Sequence, residues 1–342
     1  MRLKNKDIAR ELNISTTAVS LAINSRPGVS EETRKKVLQL ITENSQKTYQ
    51  SLIPESNMDG TVLLSVHKKH GAIMNEKPFF ADLIETIQQE ARRLSYMVSI
   101  VYYMPGQDLN DYINYLRSLK AIGIIIIATE MDESDLQAYM QLECPIVLSD
   151  SSFELANVDS VSLDNQTAVL RAFDYAYQMG HRNIGFLQSS TFIKNFEYRF
   201  DGFLKSIRKY KLEEYEHPVI SLPCNFEGAY EEMKKFLRQE NPGFVMPTIF
   251  LSDLDYIAMG AMKALKEAGY RIPQDISIVG IDDVIGCEGL EPPLTTIRIN
   301  RMDIGRLSMQ TLAEKLRNPG DYYITTTVSS ALIIRESVRD IN

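Results

Sequence analysis

Residues 1–41 read MRLKNKDIARELNISTTAVSLAINSRPGVSEETRKKVLQLI and set a short basic helical unit ahead of a much larger acidic remainder. The spacing predicts a first helix from Lys6 to Leu12, started by Asn5, with Ile8, Ala9 and Leu12 on one face. Asn13 and Ile14 turn the chain. A second helix fits Ser15 to Asn24: Ser15 caps it, Ala18, Val19, Ala22 and Ile23 face inward, and Thr16, Thr17, Ser20 and Leu21 stay outside. After the Pro27-Gly28 turn, Ser30 caps a third helix that turns Val37, Leu40 and Ile41 inward, with Glu31 and Glu32 at its positive end. Two short helices braced by a third make a helix-turn-helix unit.

Charge supports the division. Residues 1–48 carry 9 Lys and Arg against 5 Asp and Glu, while the rest of the chain carries 28 against 40. A basic head approaches DNA and an acidic body is repelled by it. The three cysteines, Cys144, Cys224 and Cys287, are widely spaced and suit a reduced cytoplasm rather than a disulfide scaffold. No apolar leader segment opens the sequence, and no run reaches the roughly 20 apolar residues a bilayer span needs, so a cytoplasmic location without membrane contact is expected. His67 and His70 lie three apart without a third ligand nearby, which reads as a solvated pair; no metal and no cofactor are expected.

The segments KDIARELNISTTAVSLAIN (residues 6–24) and VSEETRKKVLQLI (residues 29–41) follow, nearly position for position, the pattern KDVAxxAGVSxxTVSRVLN…VSxxTRxxVxxAI. In this the sequence resembles the lactose-repressor (LacI/GalR) family of bacterial transcription regulators. The resemblance continues through LDNQTAVLRAFDYAYQMGHRNIGFL (163–187), YRFDGF (198–203), SDLDYIAMGAMKALKEAGYRIPQDISIVGIDD (252–283) and PPLTTIRINRMDIG (292–305). From Thr61 onward, β-branched runs alternate with amphipathic helices, the rhythm of parallel sheets covered on both faces. The all-apolar Ile122 to Ala128 run suits a central strand. The expected fold class is α/β: an all-α helix-turn-helix head (1–48), a linker (49–60), and a two-lobed body like a periplasmic binding protein, built of doubly wound parallel sheets (61–342). Lobe 1 would hold about 61–162 and 292–322, and lobe 2 about 163–291 and 323–342. The late strands Thr295 to Ile299 and Thr325 to Ser330 would return to the first lobe and then the second. Ligand in such a body lies between the lobes, at the carboxyl ends of the strands.

The resemblance also implies site residues. For DNA these are Lys4, Lys6, Thr16, Thr17, Ser20, Leu21, Asn24, Arg26 and Arg34. For an effector, Phe79 and Phe80 in NEKPFF and Phe226 would offer flat apolar surfaces to a sugar face or a purine. Arg199 would fork onto ligand oxygens and Asp282 would accept from ligand hydroxyls. Asp150, Asn195 and Asp253 fall at strand ends or loop mouths, where a cap or turn role is the alternative. Arg301, after the Thr295 to Ile299 strand, departs from the family, where many relatives carry an aromatic or a small polar residue; as a second arginine it suits a phosphorylated or carboxylated ligand, unless Asp150 and Asp282 pair with the two arginines.

The chain departs from the pattern between head and body, where SQKTYQSLIPESNMD (45–59) sets Glu55, after Pro54, at the position of a leucine that relatives wedge into the minor groove. Leu21 likewise stands where an arginine is usual, trading guanine readout for an apolar contact. The reading is a DNA-binding regulator, a repressor, working as a homodimer on a palindromic operator under control of a small-molecule effector, a carbohydrate or its derivative. The alternative is a solute-binding receptor without DNA-specific activity, against which the basic head argues. No GxxxxGK, GxSxG, HExxH or CxxC occurs, so catalysis is not expected.

Overall fold

A computed structural model describes residues 5–12, 14–23, 28–30, 33–34, 36–37, 60–74, 78–239 and 243–342, and the chain forms two compact units, Met1–Asn57 and Met58–Asn342. In the first, α1 (Asn5–Glu11) and α2 (Thr16–Ile23) enclose Ile8, Ala9, Val19 and Ala22 together with Val37. The caps follow from the hydroxyls: Ser15 Oγ accepts from the Ala18 N–H at 3.0 Å and Ser30 Oγ from the Thr33 N–H at 3.2 Å. Gly28 turns the chain with φ +120°, and a Cβ there would stand 3.1 Å from Leu21 Cδ1. Ala18, expected inward, is half-buried. Leu40, Ile41 and the 45–59 segment with Glu55 lie outside the described residues.

The second unit carries two six-stranded sheets. The first runs β11-β5-β4-β3-β1-β2 and the second β12-β10-β9-β8-β6-β7. Here β1 is Thr61–His67, β2 Met97–Tyr103, β3 Gly123–Ile127, β4 Ile146–Ser149, β5 Asp159–Leu163, β6 Ile184–Ser189, β7 Val219–Leu222, β8 Ile249–Ser252, β9 Ser277–Asp282, β10 Thr295–Arg298, β11 Thr325–Val328 and β12 Ala331–Ile333. Pairing is parallel except for β10 with β12. Each sheet starts one strand in from an edge, at β1 or β6, adds the next strand on the outer side and the rest on the other, and so leaves a crevice at the carboxyl ends of its strands where the order reverses.

Two-sided burial explains the apolar run. Ile125 and Ile127 of β3 pack with Val62, Leu64 and Val66 of β1 on one face, while Ile124 and Ile126 join Leu63 and Leu148 on the other. The helices that cover the faces are α3 (Pro78–Arg93), α4 (Leu109–Ser118), α5 (Glu133–Tyr139), α6 (Asn165–Gln178), α7 (Lys194–Tyr210), α8 (Phe226–Arg238), α9 (Asp255–Glu267) and α10 (Arg301–Arg317).

Three expectations change. Strand β5 was not foreseen: its DSVSL sequence has little apolar content, yet all five residues are buried between β4 and β11. The late strands take the reverse of the expected order. Strand β10 stays in the second sheet beside β9, where Thr296 Oγ1 bonds Asp255 at 2.6 Å. The chain then returns through α10, whose Gly305 lets it approach α3 so closely that a Cβ would lie 2.9 Å from the Leu83 carbonyl. Strand β11 consequently completes the first sheet, fixed at its start by the Ile324 N–H on Asp159 Oδ1 at 2.7 Å, and β12 crosses back to the second. Third, His67 is fully buried rather than solvated. Its ring stacks on Tyr103 with centroids 4.5 Å apart, Nδ1 lies 2.9 Å from Tyr139 Oη, and Nε2 lies 3.4 Å from Asp135. His70 is exposed.

Candidate functional sites: a helix face and an inter-lobe cleft

On the head, α2 leaves Thr16 and Thr17 exposed and Ser20 and Leu21 half-buried. Short hydroxylic side chains permit close approach of the helix to another surface. Arg34 reaches back to the end of α2, donating from Nη1 to the carbonyls of Ala22 at 3.3 Å and Leu21 at 3.5 Å, so it secures a helix terminus. Lys4, Asn24, Arg26 and the Lys6 side chain lie outside the described residues.

In the body, the strand ends bring together most of the polar residues singled out from sequence. Asp150 follows β4 with φ +68° and Asp282 ends β9 with φ +125°. Such backbone is costly for residues with a Cβ and persists where neighbours hold it. Thr129 Oγ1 donates to Asp150 Oδ2 at 2.6 Å. From the other lobe, Asn195 Nδ2 donates to the Asp150 carbonyl at 2.8 Å, Tyr198 Oη to the Ser152 carbonyl at 3.4 Å, and Cys224 Sγ to the Ala72 carbonyl at 3.4 Å. These bonds close the two lobes on each other.

Arg199 is buried on α7. Its Nε donates to Asn165 Oδ1 at 2.9 Å, Nη1 donates to the Asp253 carbonyl, and Nη2 lies 3.8 Å from Asp282 Oδ1. Of the pairings held open as the alternative to an acidic ligand, that of Arg199 with Asp282 is present. The Asp253 carboxylate accepts from the Ser189 N–H at 2.7 Å through Oδ2, while Oδ1 is buried without a hydrogen-bond partner among the described residues. Complete burial lifts its pKa to about 7 against the pull of the Ser189 N–H and the Arg199 charge, and the Asp282 charge adds to the rise.

The aromatic candidates sit differently. Phe80 is 6 % exposed and belongs to the large apolar core cluster. The Phe79 side chain lies outside the described residues. Phe226 opens α8 and packs with α9, its ring centroid 5.8 Å from Lys263 Nζ. Arg301 begins α10 and has Asp82 of α3 3.6 Å from its Nε.

Several residues that shape the cleft were not singled out from sequence. Glu130, fully buried, accepts from the backbone N–H groups of His70, Gly71, Ile73 and Met74 at 2.7–3.1 Å and so shapes the loop after β1. Asp255 does the same after β9, accepting from the Val284 N–H at 2.9 Å and from Thr296 and Cys287; burial foremost, with the Asp282 charge, lifts its pKa to about 6. Asn165 joins Arg199 to Asn195. No local pattern marks such carboxylates, since their partners are backbone groups distant in sequence. Among the described residues no cluster of metal-ligating side chains occurs and no helix is long and apolar enough to cross a membrane. Cys144, Cys224 and Cys287 are free thiols.

Comparison with known proteins matches both units. The family described as periplasmic binding proteins and sugar binding domain of LacI family matches residues 67–335, and bacterial regulatory proteins, lacI family, matches residues 5–45. The ribose operon repressor of Haemophilus influenzae is 27 % identical over 339 residues, covering 97 % of this chain and 98 % of the relative. The HTH-type transcriptional repressor PurR of the same organism is 27 % identical over 343 residues, covering 98 % of each. Among solved structures, the lac repressor dimer bound to operator and an anti-inducer superposes with TM-score 0.71 at 21 % identity over 99 % of this chain and all of the other, a likeness of fold.

Proposed function

Because the chain belongs to the LacI family, we propose that residues 1–48 read a palindromic operator and that a carbohydrate or its derivative, bound between the lobes, controls that reading. The protein is a DNA-binding transcriptional repressor under small-molecule control. Twofold symmetry follows from the weakness of one small head: a homodimer doubles the contacts and demands a palindrome. Thr16, Thr17, Ser20 and Leu21 face bases; Lys4, Lys6 and Arg26 hold phosphates, and Asn24 serves the same DNA contact. Arg34 serves the same surface indirectly, by holding the end of α2. Residues 49–60 link the head to a body that begins at residue 61. The repressor works in the cytoplasm and turns over no substrate.

One observation carries the effector reading: Arg199, held beside Asp253 and Asp282, bonds Asn165, which bonds Asn195, and Asn195 bonds Asp150 of the other lobe, so a ligand on the guanidinium is joined through Asn165 to the group that closes the cleft. Phe80 lies in the apolar core and Phe226 packs near Lys263, while Phe79 offers its ring to a sugar face. With Asp82 beside Arg301, the acidic-ligand idea loses its second cation, and a neutral polyhydroxyl effector fits better. The test is selection of duplex DNA from a random pool by the purified full chain. A palindrome with two half-sites is expected, and that duplex then reports on ribose and other sugars as effectors. Recovery of sequences with no shared motif would overturn the operator reading.

A further inference from the structure

Asn165 is the first residue of α6, where the chain leaves β5 of the first sheet and enters the second lobe. It is 3 % exposed, and both ends of its amide are engaged. Oδ1 accepts from Arg199 Nε at 2.9 Å; Nδ2 donates to Asn195 Oδ1 at 3.1 Å and to the Leu163 carbonyl at 3.4 Å. Asn195 Nδ2 then donates to the Asp150 carbonyl across the cleft at 2.8 Å. The donor direction along this chain is forced. A guanidinium can only donate, so Asn165 must offer it oxygen; a carbonyl can only accept, so Asn195 must offer Asp150 nitrogen and turn its own oxygen to Asn165.

We propose that Asn165 is a positioning residue that couples the Arg199 guanidinium to the Asn195–Asp150 bond joining the two lobes. The amide is planar and rigid, so its two edges move together. If a ligand draws Arg199 Nε away, Asn165 Oδ1 is left buried and unpaired, and the amide rotates to find a donor. That rotation removes Nδ2 from Asn195, which then loses the contact that orients it on Asp150. Because Asn165 also sits on the crossover between lobes, any change in lobe angle acts back on Arg199 by the same route. The inference rests on the proposed effector role of Arg199 for its biological meaning, but the coupling belongs to the protein alone.

The test is a mutant cycle on the full chain, read by urea unfolding without DNA or ligand, so that failure of the functional reading leaves it intact. Arg199→Lys and Asn195→Ala are measured singly and together, with Asn165 present and with Asn165→Asp, which keeps an acceptor for Arg199 and removes the donor to Asn195. With Asn165 present, the paired substitution should lower the urea midpoint by clearly less than the sum of the single shifts; with Asn165→Asp the shifts should add. Additive shifts in the presence of Asn165, or a coupling that survives Asn165→Asp, overturn the proposal. A second reading needs no change at Asn165: by small-angle scattering, Arg199→Lys should expand the chain toward the profile of Asn195→Ala. An unchanged profile for Arg199→Lys, with Asn195→Ala expanded, counts equally against it.

Discussion

At the scale of residues, the cleft is built from carboxylates held in environments that cost energy, and Asp253 is the extreme case. Folded, it binds its proton with a pKa of about 7; unfolded, an aspartate does so near 3.9. A raised folded value means that its contribution to stability is complete below about pH 4 and is lost as pH rises through about 7. Asp255, raised to about 6, acts in the same direction. Asp253→Asn removes the ionisation while keeping the shape. The loss of stability between about pH 4 and about pH 8, followed by urea unfolding, should be smaller in the variant than in the parent by about 1–3 kcal/mol, the scale of a buried group left without a partner. Equal pH slopes would show that Asp253 ionises without penalty and that its Oδ1 is served by solvent. Arg199 and Asp282 were legible in the sequence because they sit in long motifs with fixed spacing. Asn165 sits in such a motif too, but its role comes from a neighbour 30 residues away on another helix, which no local pattern encodes.

At the scale of elements, sequence period fixes what a segment is more firmly than where it goes. The β3 run announced itself through continuous branched residues, and α3 and α4 through their apolar stripes. Strand β5 escaped because Ser160 and Ser162, though buried, carry no hydrophobic signal. The late strands were seen, but their sheet was misassigned, since partner choice depends on groups such as Asp159 and Asp255 that bond to them from afar. Gly280 shows how tightly those partners are set. A Cβ on it would stand 2.1 Å from Asp255 Oδ1 and 3.1 Å from Leu294 Cδ2. Gly280→Ala must push Asp255 off Thr296 and the Val284 N–H, so the loop after β9 that carries Asp283 loses its anchor. The expected cost is about 1–3 kcal/mol in urea unfolding, the range for forcing one extra carbon into a packed site. It should come with weakened binding of any sugar that the screen returns; unchanged stability would mean that Asp255 gives way freely.

At the scale of the whole molecule, charge is divided so that 9 Lys and Arg against 5 acids in residues 1–48 precede a body with 28 against 40. Contacts with phosphate release counterions, so affinity for duplex DNA should fall with salt at a slope near −0.9 in log units for each phosphate engaged. A lysine that holds a phosphate and a threonine that faces a base then leave different signatures. Lys6→Ala should weaken binding to all sequences alike and shallow the slope by about 1 per head, hence about 2 in a twofold complex. Thr17→Ala, on the exposed face of α2, should leave the slope unchanged and relax the preference at a symmetric pair of positions. Titration of both variants against the selected duplex and a scrambled one, across a salt series, separates the two. A slope lowered by only 1 for Lys6→Ala would mean that a single head engages DNA, and the palindrome would then have no mechanical basis. The acidic body adds repulsion that salt relieves, which opposes the slope from the head. The measured value should therefore fall short of the count of head contacts, and variants are to be compared by differences in slope, in which the contribution of the body cancels.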